Sequence, residues 1–354
     1  MYSTQVKTFI EEVIKNMPAD WLTLTTHRLD IYNEELAKTQ FLDQFENLFN
    51  ENNASTSALS KLPTAYDYIR LGHPLSCVLE WAIAKSITQS SENVITFSSK
   101  TTPILAVLRK NLLENKNTQI IHTGDLPEFF DAEIVKRVYG YQFELKQVEK
   151  VMKIPAFEGS TIYISQKEQF GANDPTSGVD FLINLHEQLG SVLVVNGERN
   201  SSYISEIQHV RRRETIAMTP ENCLLALKSL VNQKSPATQD SSRVADKSSV
   251  LASIKTITGT ITTPLVASSG LSMQYAIMMG IVHDALENHT GKAIKFIVPP
   301  NCYGGTNDQA RRVAACIDLV EVVDLPVDGD NDMVQSLETI LTRLAAEDAI
   351  PYII

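Results

Sequence analysis

Apolar residues in the first 60 positions recur at helical spacing: Phe9 with Val13 and Ile14, then Phe41, Phe45, Leu48 and Phe49. That spacing predicts amphipathic helices. They end in the polar run NENNASTSALS, which reads as a linker, so residues 1–60 are expected to form a helical N-terminal arm. From Tyr66 onward, short apolar runs alternate with helical patterns. Strands are predicted over 93–99, 118–124, 160–165 and 191–197, and helices over 102–115 and 179–190. Residues 232–249 break into a polar, turn-rich stretch, after which a second series begins. It reads as helix 273–289, strand 293–300, helix 306–317, strand 319–325, helix 332–347 and a last strand, AIPYII, over 349–354. Strands alternating with helices imply βαβ units around a mostly parallel sheet. The domains expected are the arm at 1–60, an α/β unit at 61–235 and a second one at 236–354. The closing strand looks buried, so the second unit reads as cut short at Ile354.

A weak internal repeat runs through this pattern. Phe97-Ser98-Ser99, with the helix and strand after it, resembles Ala267-Ser268-Ser269 with its own helix and strand, and Ser99 matches Ser269 at an offset of 170 residues.

Composition narrows the function classes. The 354 residues carry 31 basic and 42 acidic side chains, a formal charge of −11. That balance argues against a nucleic-acid partner and against an anionic membrane surface, although Arg211-Arg212-Arg213 forms a local basic cluster. The opening MYSTQVKTFIEEVIKNM has acidic residues among its apolar ones and reads as an amphipathic helix rather than a signal peptide. Residues 265–282 include three serines and a glutamine and fall short of a membrane span. A cytoplasmic location is expected. Cys77, Cys223, Cys302 and Cys316 show neither a CxxC pair nor ligand spacing, so reduced thiols are expected and no metal site.

Two local motifs carry candidate chemistry. Ser268-Ser269-Gly270-Leu271 heads a helix, and Asn301-Cys302-Tyr303-Gly304-Gly305-Thr306 follows a strand about thirty residues later. Backbone amides at a glycine turn and the positive end of a helix together suit a phosphate; a small-residue N-cap with a tight turn would read the same way. A tyrosine followed by two glycines can stack on a flat ring that the glycines leave room for. His186 and His283 fall mid-helix in this pattern and read as ordinary surface or half-buried residues.

In order and spacing, the SSGL helix, YGGT, VEVVDL and AIPYII resemble the pyridoxal-phosphate (PLP) family that includes cystathionine gamma-synthase, cystathionine beta-lyase and methionine gamma-lyase. The resemblance implies the fold type I PLP-transferase large domain, an α/β architecture with a mostly parallel sheet between helices. It also implies PLP as cofactor, held through Ser269, Gly270 and Leu271 at the phosphate, with Tyr303 stacked on the ring in a catalytic position. The family's pyridine-facing aspartate and its Schiff-base lysine would lie beyond Ile354.

The first unit bears a more worn resemblance. Tyr68-Ile69-Arg70-Leu71-Gly72-His73-Pro74, continuing to Leu79-Glu80, is similar to the family's Tyr-Ser-Arg-x-x-Asn-Pro motif, whose tyrosine and arginine reach across a dimer interface to a neighbour's site. This implies a catalytic role for Tyr68 and a phosphate contact for Arg70. A turn before a helix, with Arg70 on a solvated face, is the alternative. Residues 179–196 resemble the helix and strand that deliver the family's aspartate, with Asn196 in its place; an amide is a weaker partner for a ring nitrogen. Lys100 occupies the glycine position of the phosphate turn, and the lysine loop is missing ahead of Thr219-Pro220. In the second unit Ser242-Arg243 falls at the Tyr/Arg position, making Arg243 a candidate phosphate contact.

The expectation is a sulfur-amino-acid lyase or synthase of the transsulfuration type, acting on a small amino-acid substrate as a homo-oligomer or with a partner chain. It is expected to be inactive over these residues alone, with Arg70 and Tyr68 lent by a degenerate copy to the site of the second. The alternative is a non-catalytic pseudoenzyme subunit that completes a partner chain's site.

Overall fold

The structure, a computed structural model, describes residues 4–23, 34–66, 70–149, 154, 156–167, 178–232 and 240–354. Helices α1 (Thr4–Asn16), α2 (Glu34–Asn50), α3 (Thr56–Leu59) and α4 (Pro74–Ile87) precede the first strand. A six-stranded sheet then forms from β1 (Val94–Phe97), β2 (Thr118–Thr123), β3 (Glu144–Gln147), β4 (Ser160–Gln166), β5 (Phe181–His186) and β6 (Gly190–Val195). Its order is β1-β6-β5-β4-β2-β3, with β5, β4, β2 and β3 parallel and β6 antiparallel to both its neighbours. Helices α5 (Thr102–Leu113), α6 (Ala132–Tyr139), α7 (Ser202–Glu214) and α8 (Pro220–Asn232) complete this unit.

Successive strand residues face opposite ways, so this sheet has two apolar faces. Val94, Ile121, Leu182 and Val192 pack with residues of α1, α2, α4 and α8. Ile95, Ile120, Phe181 and Leu193 pack with residues of α5, α6 and α7. Fully covered parallel strands read as continuous apolar runs. The edge strand β3 instead exposes Glu144, Leu145, Lys146 and Gln147, and charge on an edge discourages pairing with a further strand. The fold is therefore mixed α/β, a mostly parallel sheet flanked by helices.

The first helices belong to one of these layers. Phe9 of α1 meets Phe45 of α2 and Trp81 of α4 edge-on, at centroid distances of 5.5 and 6.2 Å. Ala54 and Leu59, in the polar run after α2, are both buried.

Helix α4 starts on a capping box in which His73 Nδ1 accepts from the Ser76 amide at 3.2 Å and Ser76 Oγ accepts from the His73 amide at 2.9 Å. Its inner face carries Glu80, fully buried against two cations. Glu80 lies 2.8 Å from Lys38 of α2 and 2.8 Å from Arg211 of α7, and it accepts two hydrogen bonds from Thr96 of β1. Burial pushes the Glu80 carboxyl up, but the pull of Lys38 and Arg211 prevails and holds it below its usual value. This cluster fixes α7 against the sheet, which sets where the end of α7 points.

The second unit runs through α9 (Asp240–Thr258), α10 (Gly270–Asn288), β7 (Ile294–Val298), α11 (Gly304–Ala314), β8 (Val320–Asp324), α12 (Met333–Ala346) and β9 (Ile350–Ile353). Its three strands are parallel, in the order β8-β7-β9. The same order and direction hold for β3-β2-β4 in the first unit. Helices α5 and α10 precede the central strand of each set, and α6 and α11 follow it.

Several sequence expectations need correction. Residues 179–190 are not a helix: they form β5 and the turn into β6. Phe181, Leu182, Ile183 and Leu185 are nearly consecutive apolar residues, which suit a strand covered on both faces better than one helical stripe. Gly190, at φ +121°, makes the turn possible, because a Cβ there would run into the carbonyl of Phe97. His186 consequently sits in a strand and is buried; burial takes its pKa down to about 3. The polar stretch 232–249 enters α9 at Asp240, a helix whose described side chains are mostly exposed. The last strand is an edge, with Pro351 and Ile353 exposed, rather than a buried element.

Candidate anion site between the two units

Ser269 is the N-cap of α10. Its Oγ accepts from the Ser272 amide at 3.1 Å, and its carbonyl accepts from the Met273 amide at 3.0 Å. The amides of Gly270 and Leu271 head the helix, where no intrahelical acceptor exists, and the helix dipole is positive there. A Cβ on Gly270 would meet no atom within 4 Å, so the space beside this residue is open. Gly305, by contrast, is required by packing: a Cβ there would lie 2.6 Å from Tyr303 Cε1 and 3.0 Å from both Leu271 methyls. The first turn of α11 thus rests on the first turn of α10, and Thr306 adds a hydrogen bond to Gln274 at 3.1 Å. Tyr303 caps α11 with 63% of its surface exposed beside this opening.

Arg70 arrives from the first unit. Only 7% exposed, it directs Nη1 at Ser269 Oγ, 3.4 Å away, and is hydrogen-bonded to Tyr303. Its carbonyl accepts from the Ala217 amide at 2.9 Å, which ties it to the chain leaving α7. The end of α7 distributes three arginines. Arg211 turns into the core toward Glu80, Arg212 lies within electrostatic reach of Tyr303, and Arg213 Nε lies 3.2 Å from Asp308 Oδ2 of α11. His209 meets the same Asp308 oxygen at 3.2 Å. Burial lowers the pKa of Arg70, Tyr303 opposes that, and Arg213 adds to the lowering; burial and Arg213 likewise lower Arg212. Arg70 at the helix start, with Arg213 near enough to act on both Arg70 and Arg212, forms a locus suited to an anion with more than one charge.

Ser269, Gly270, Leu271, Tyr303 and Arg70 therefore meet at one place, although Arg70 and Ser269 are 199 residues apart in sequence. Tyr68 lies outside the described residues. Arg243 falls in α9, and its side chain is likewise outside them. Asn196 is misplaced by the sequence reading. The Ser99-Lys100 turn follows β1, on the edge where the parallel strands end, whereas antiparallel β6 carries Asn196 to the opposite edge, where its amide donates to the Asp180 carbonyl at 2.8 Å. Six residues of strand span about 20 Å, too far for one small cofactor to touch both ends. Arg212, Arg213 and Asp308 were missed; the triple-arginine run was their visible signal, but three side chains on consecutive helical positions diverge, and only tertiary packing shows where each points.

Among the described residues, no group of three His, Cys, Asp or Glu side chains could hold a metal ion, and no helix is long and apolar enough to cross a membrane.

No family model and no curated protein matches this chain. Solved structures that resemble it include cystathionine gamma-lyase from yeast, at 13% identity and a TM-score of 0.35 over 63% of this chain and 62% of that one. MetB from Corynebacterium glutamicum matches at 13% and 0.38, over 63% of each chain. A putative O-acetylhomoserine (thiol)-lyase from Campylobacter jejuni, whose structure contains a pyridoxyl-lysine phosphate, matches at 13% and 0.36, over 65% and 71%. The chain thus spans less than two thirds of the first two.

Proposed function

We propose that the Ser269–Arg70 locus binds the phosphate of pyridoxal 5′-phosphate, in a fold type I unit belonging to a transsulfuration lyase or synthase of the cystathionine gamma-synthase type. The observation that supports this reading is the buried Arg70 guanidinium 3.4 Å from Ser269 Oγ, at an open helix start. The residues present fit the phosphate and the face of the ring. The amides of Gly270 and Leu271 and the planar fork of Arg70 would hold the phosphate oxygens. Tyr303 would cover one ring face, with its hydroxyl hydrogen-bonded to Arg70. When bound, PLP supplies an electron sink for loss of the proton at Cα of an amino acid. In this arrangement the arginine contact that the family makes across a dimer is made within one chain, between repeats. Tyr68, which lies outside the described residues, keeps its proposed catalytic role.

A second reading, a non-catalytic subunit that completes a partner's site, draws on the first repeat. There Lys100, at the glycine position of the turn, donates to the Glu187 carbonyl at 3.2 Å and so serves as a filler.

Titration with pyridoxine 5′-phosphate, which has no aldehyde and so reports on the phosphate site alone, tests the proposal. Binding should be at least tenfold tighter than for pyridoxine and should fall on the order of tenfold to a hundredfold in Arg70→Ala, the loss of charge-assisted hydrogen bonds. Equal affinity for both ligands would overturn it. Borohydride reduction after adding PLP tests the second reading: a stable pyridoxyl-lysine within these residues would overturn it, whereas no adduct is expected under both readings, since the resemblance puts the family's lysine beyond Ile354.

A further inference from the structure

The triple-arginine run at the end of α7 places more positive charge beside the cradle than the phosphate contacts proposed above employ. Arg213 and Arg70 influence each other electrostatically, as do Arg213 and Arg212. Yet Arg213 Nε lies 3.2 Å from Oδ2 of Asp308, five residues along α11 from Tyr303 and so about 7.5 Å further along the axis. Asp308 is braced for this task. Its Oδ2 also takes His209, 3.2 Å away, and its carboxyl is held below the usual range, first by that hydrogen bond, against burial, with Arg213 and Arg312 assisting.

We propose that Asp308 is a positioning residue that sets the anion affinity of the cradle by holding Arg213 on its own carboxylate. This rests on the phosphate-binding reading of the Ser269–Arg70 locus. With Asp308 charged, one arginine is neutralised locally and the cradle meets the phosphate with a reduced field. With that charge removed, Arg213 is released toward Arg70 and the ligand. The packing of α7 on α11 does not depend on this pair alone, because Gln309 Nε2 donates to the Arg213 carbonyl at 3.3 Å and Arg312 bonds Glu206 and Glu214 at 3.0 and 3.2 Å.

The test is calorimetric titration of wild type, Asp308→Asn, Asp308→Asn/Arg213→Ala and Arg213→Ala with pyridoxine 5′-phosphate, at low salt and at about 0.15 M salt. One unit charge at this range through partly buried protein corresponds to roughly a three- to tenfold change. Asp308→Asn is expected to bind tighter by that factor at low salt, with the gain shrinking at the higher salt and vanishing in the double variant. A lost packing contact would not raise affinity. Unchanged or weaker binding in folded Asp308→Asn, with wild-type binding and its loss in Arg70→Ala both intact, overturns this inference alone. Should Asp308→Asn fail to fold, the Arg213→Ala arm decides: its loss should be at least fivefold smaller than that of Arg70→Ala, and equal losses overturn the inference. No phosphate-dependent binding in any protein removes the site reading and this inference together.

Discussion

The turn at Ser99-Lys100 and the turn at Ser269-Gly270 sit in matching places of the two repeats, and they differ in what occupies the space before the helix. In the first, Ser99 Oγ accepts from the amides of Thr101 and Thr102, its carbonyl accepts from Ser191 Oγ at 2.6 Å, and Lys100 reaches the Glu187 carbonyl. The turn is satisfied by its own repeat. In the second, Ser269 is itself the N-cap, whereas α5 is capped at Thr101, two residues after Ser99; a Cβ on Gly270 would meet open space, and the approaching cation, Arg70, comes from the other repeat. A helix start becomes a candidate binding site only when its neighbours leave it unfilled. The contrast also assigns different work to the two halves: the first repeat is a scaffold that exports an arginine, and the second presents the opening.

The largest expected effect attacks that scaffold. Glu80→Ala strands Lys38 and Arg211 as buried cations, so unfolding in urea should show a loss of about 3–5 kcal/mol, with phosphate binding lost alongside because α7 and Arg70 are no longer held. A loss under 1 kcal/mol would mean that the cluster is solvated.

Acid should weaken the scaffold next. Burial draws the pKa of His73 down to about 4, and Nδ1 must stay unprotonated to cap α4. Its folded value lies below the unfolded one of about 6.5, so the stability tied to neutral His73 is complete above about pH 6.5 and drains away as pH falls toward 4, by about 2–3 kcal/mol. His73→Asn keeps a capping acceptor and should flatten that limb of a stability profile; an unchanged limb would assign it to other groups such as His186.

On the second turn, Gly270→Asp puts a carboxylate where the phosphate is proposed to lie. Affinity for pyridoxine 5′-phosphate should drop at least tenfold, while thermal stability stays level or rises by a few tenths of a kcal/mol, since an acidic residue suits a helix start. The smallest effect belongs to Lys100→Gly, which opens the first turn. It should cost at most about 1 kcal/mol for one exposed hydrogen bond and create no phosphate binding, because no counterpart of Arg70 is brought there. New binding would show that the turn alone suffices.

Much of the layered fold was legible as pattern. Strands 94–97, 118–123, 160–166 and 190–195 and helices α5, α10, α11 and α12 follow from apolar periodicity, and Ser269 and Tyr303 were visible as turn residues before glycine. The segment 179–190 was not legible, because a short apolar run looks alike in a buried helix and a buried strand, and only β1, β4 and β6 around it decide. Asn196 went wrong with it, since misjudging one element reverses which edge of the sheet its neighbour reaches.

By itself the sequence determined the alternation of strands and helices, the repeat linking Ser99 to Ser269 and the candidate turn at Gly270, because these depend on spacing along the chain and on backbone chemistry. Tertiary structure decided which arginine faces which turn. Arg211, Arg212 and Arg213 are equivalent in the sequence, and the separate destinations of Arg211 at Glu80 and Arg213 at Asp308 follow from how α7 packs. The meeting of Arg70 with Ser269 was likewise set by packing, since contact between residues 199 apart depends on how the two repeats are laid against each other and not on any local preference.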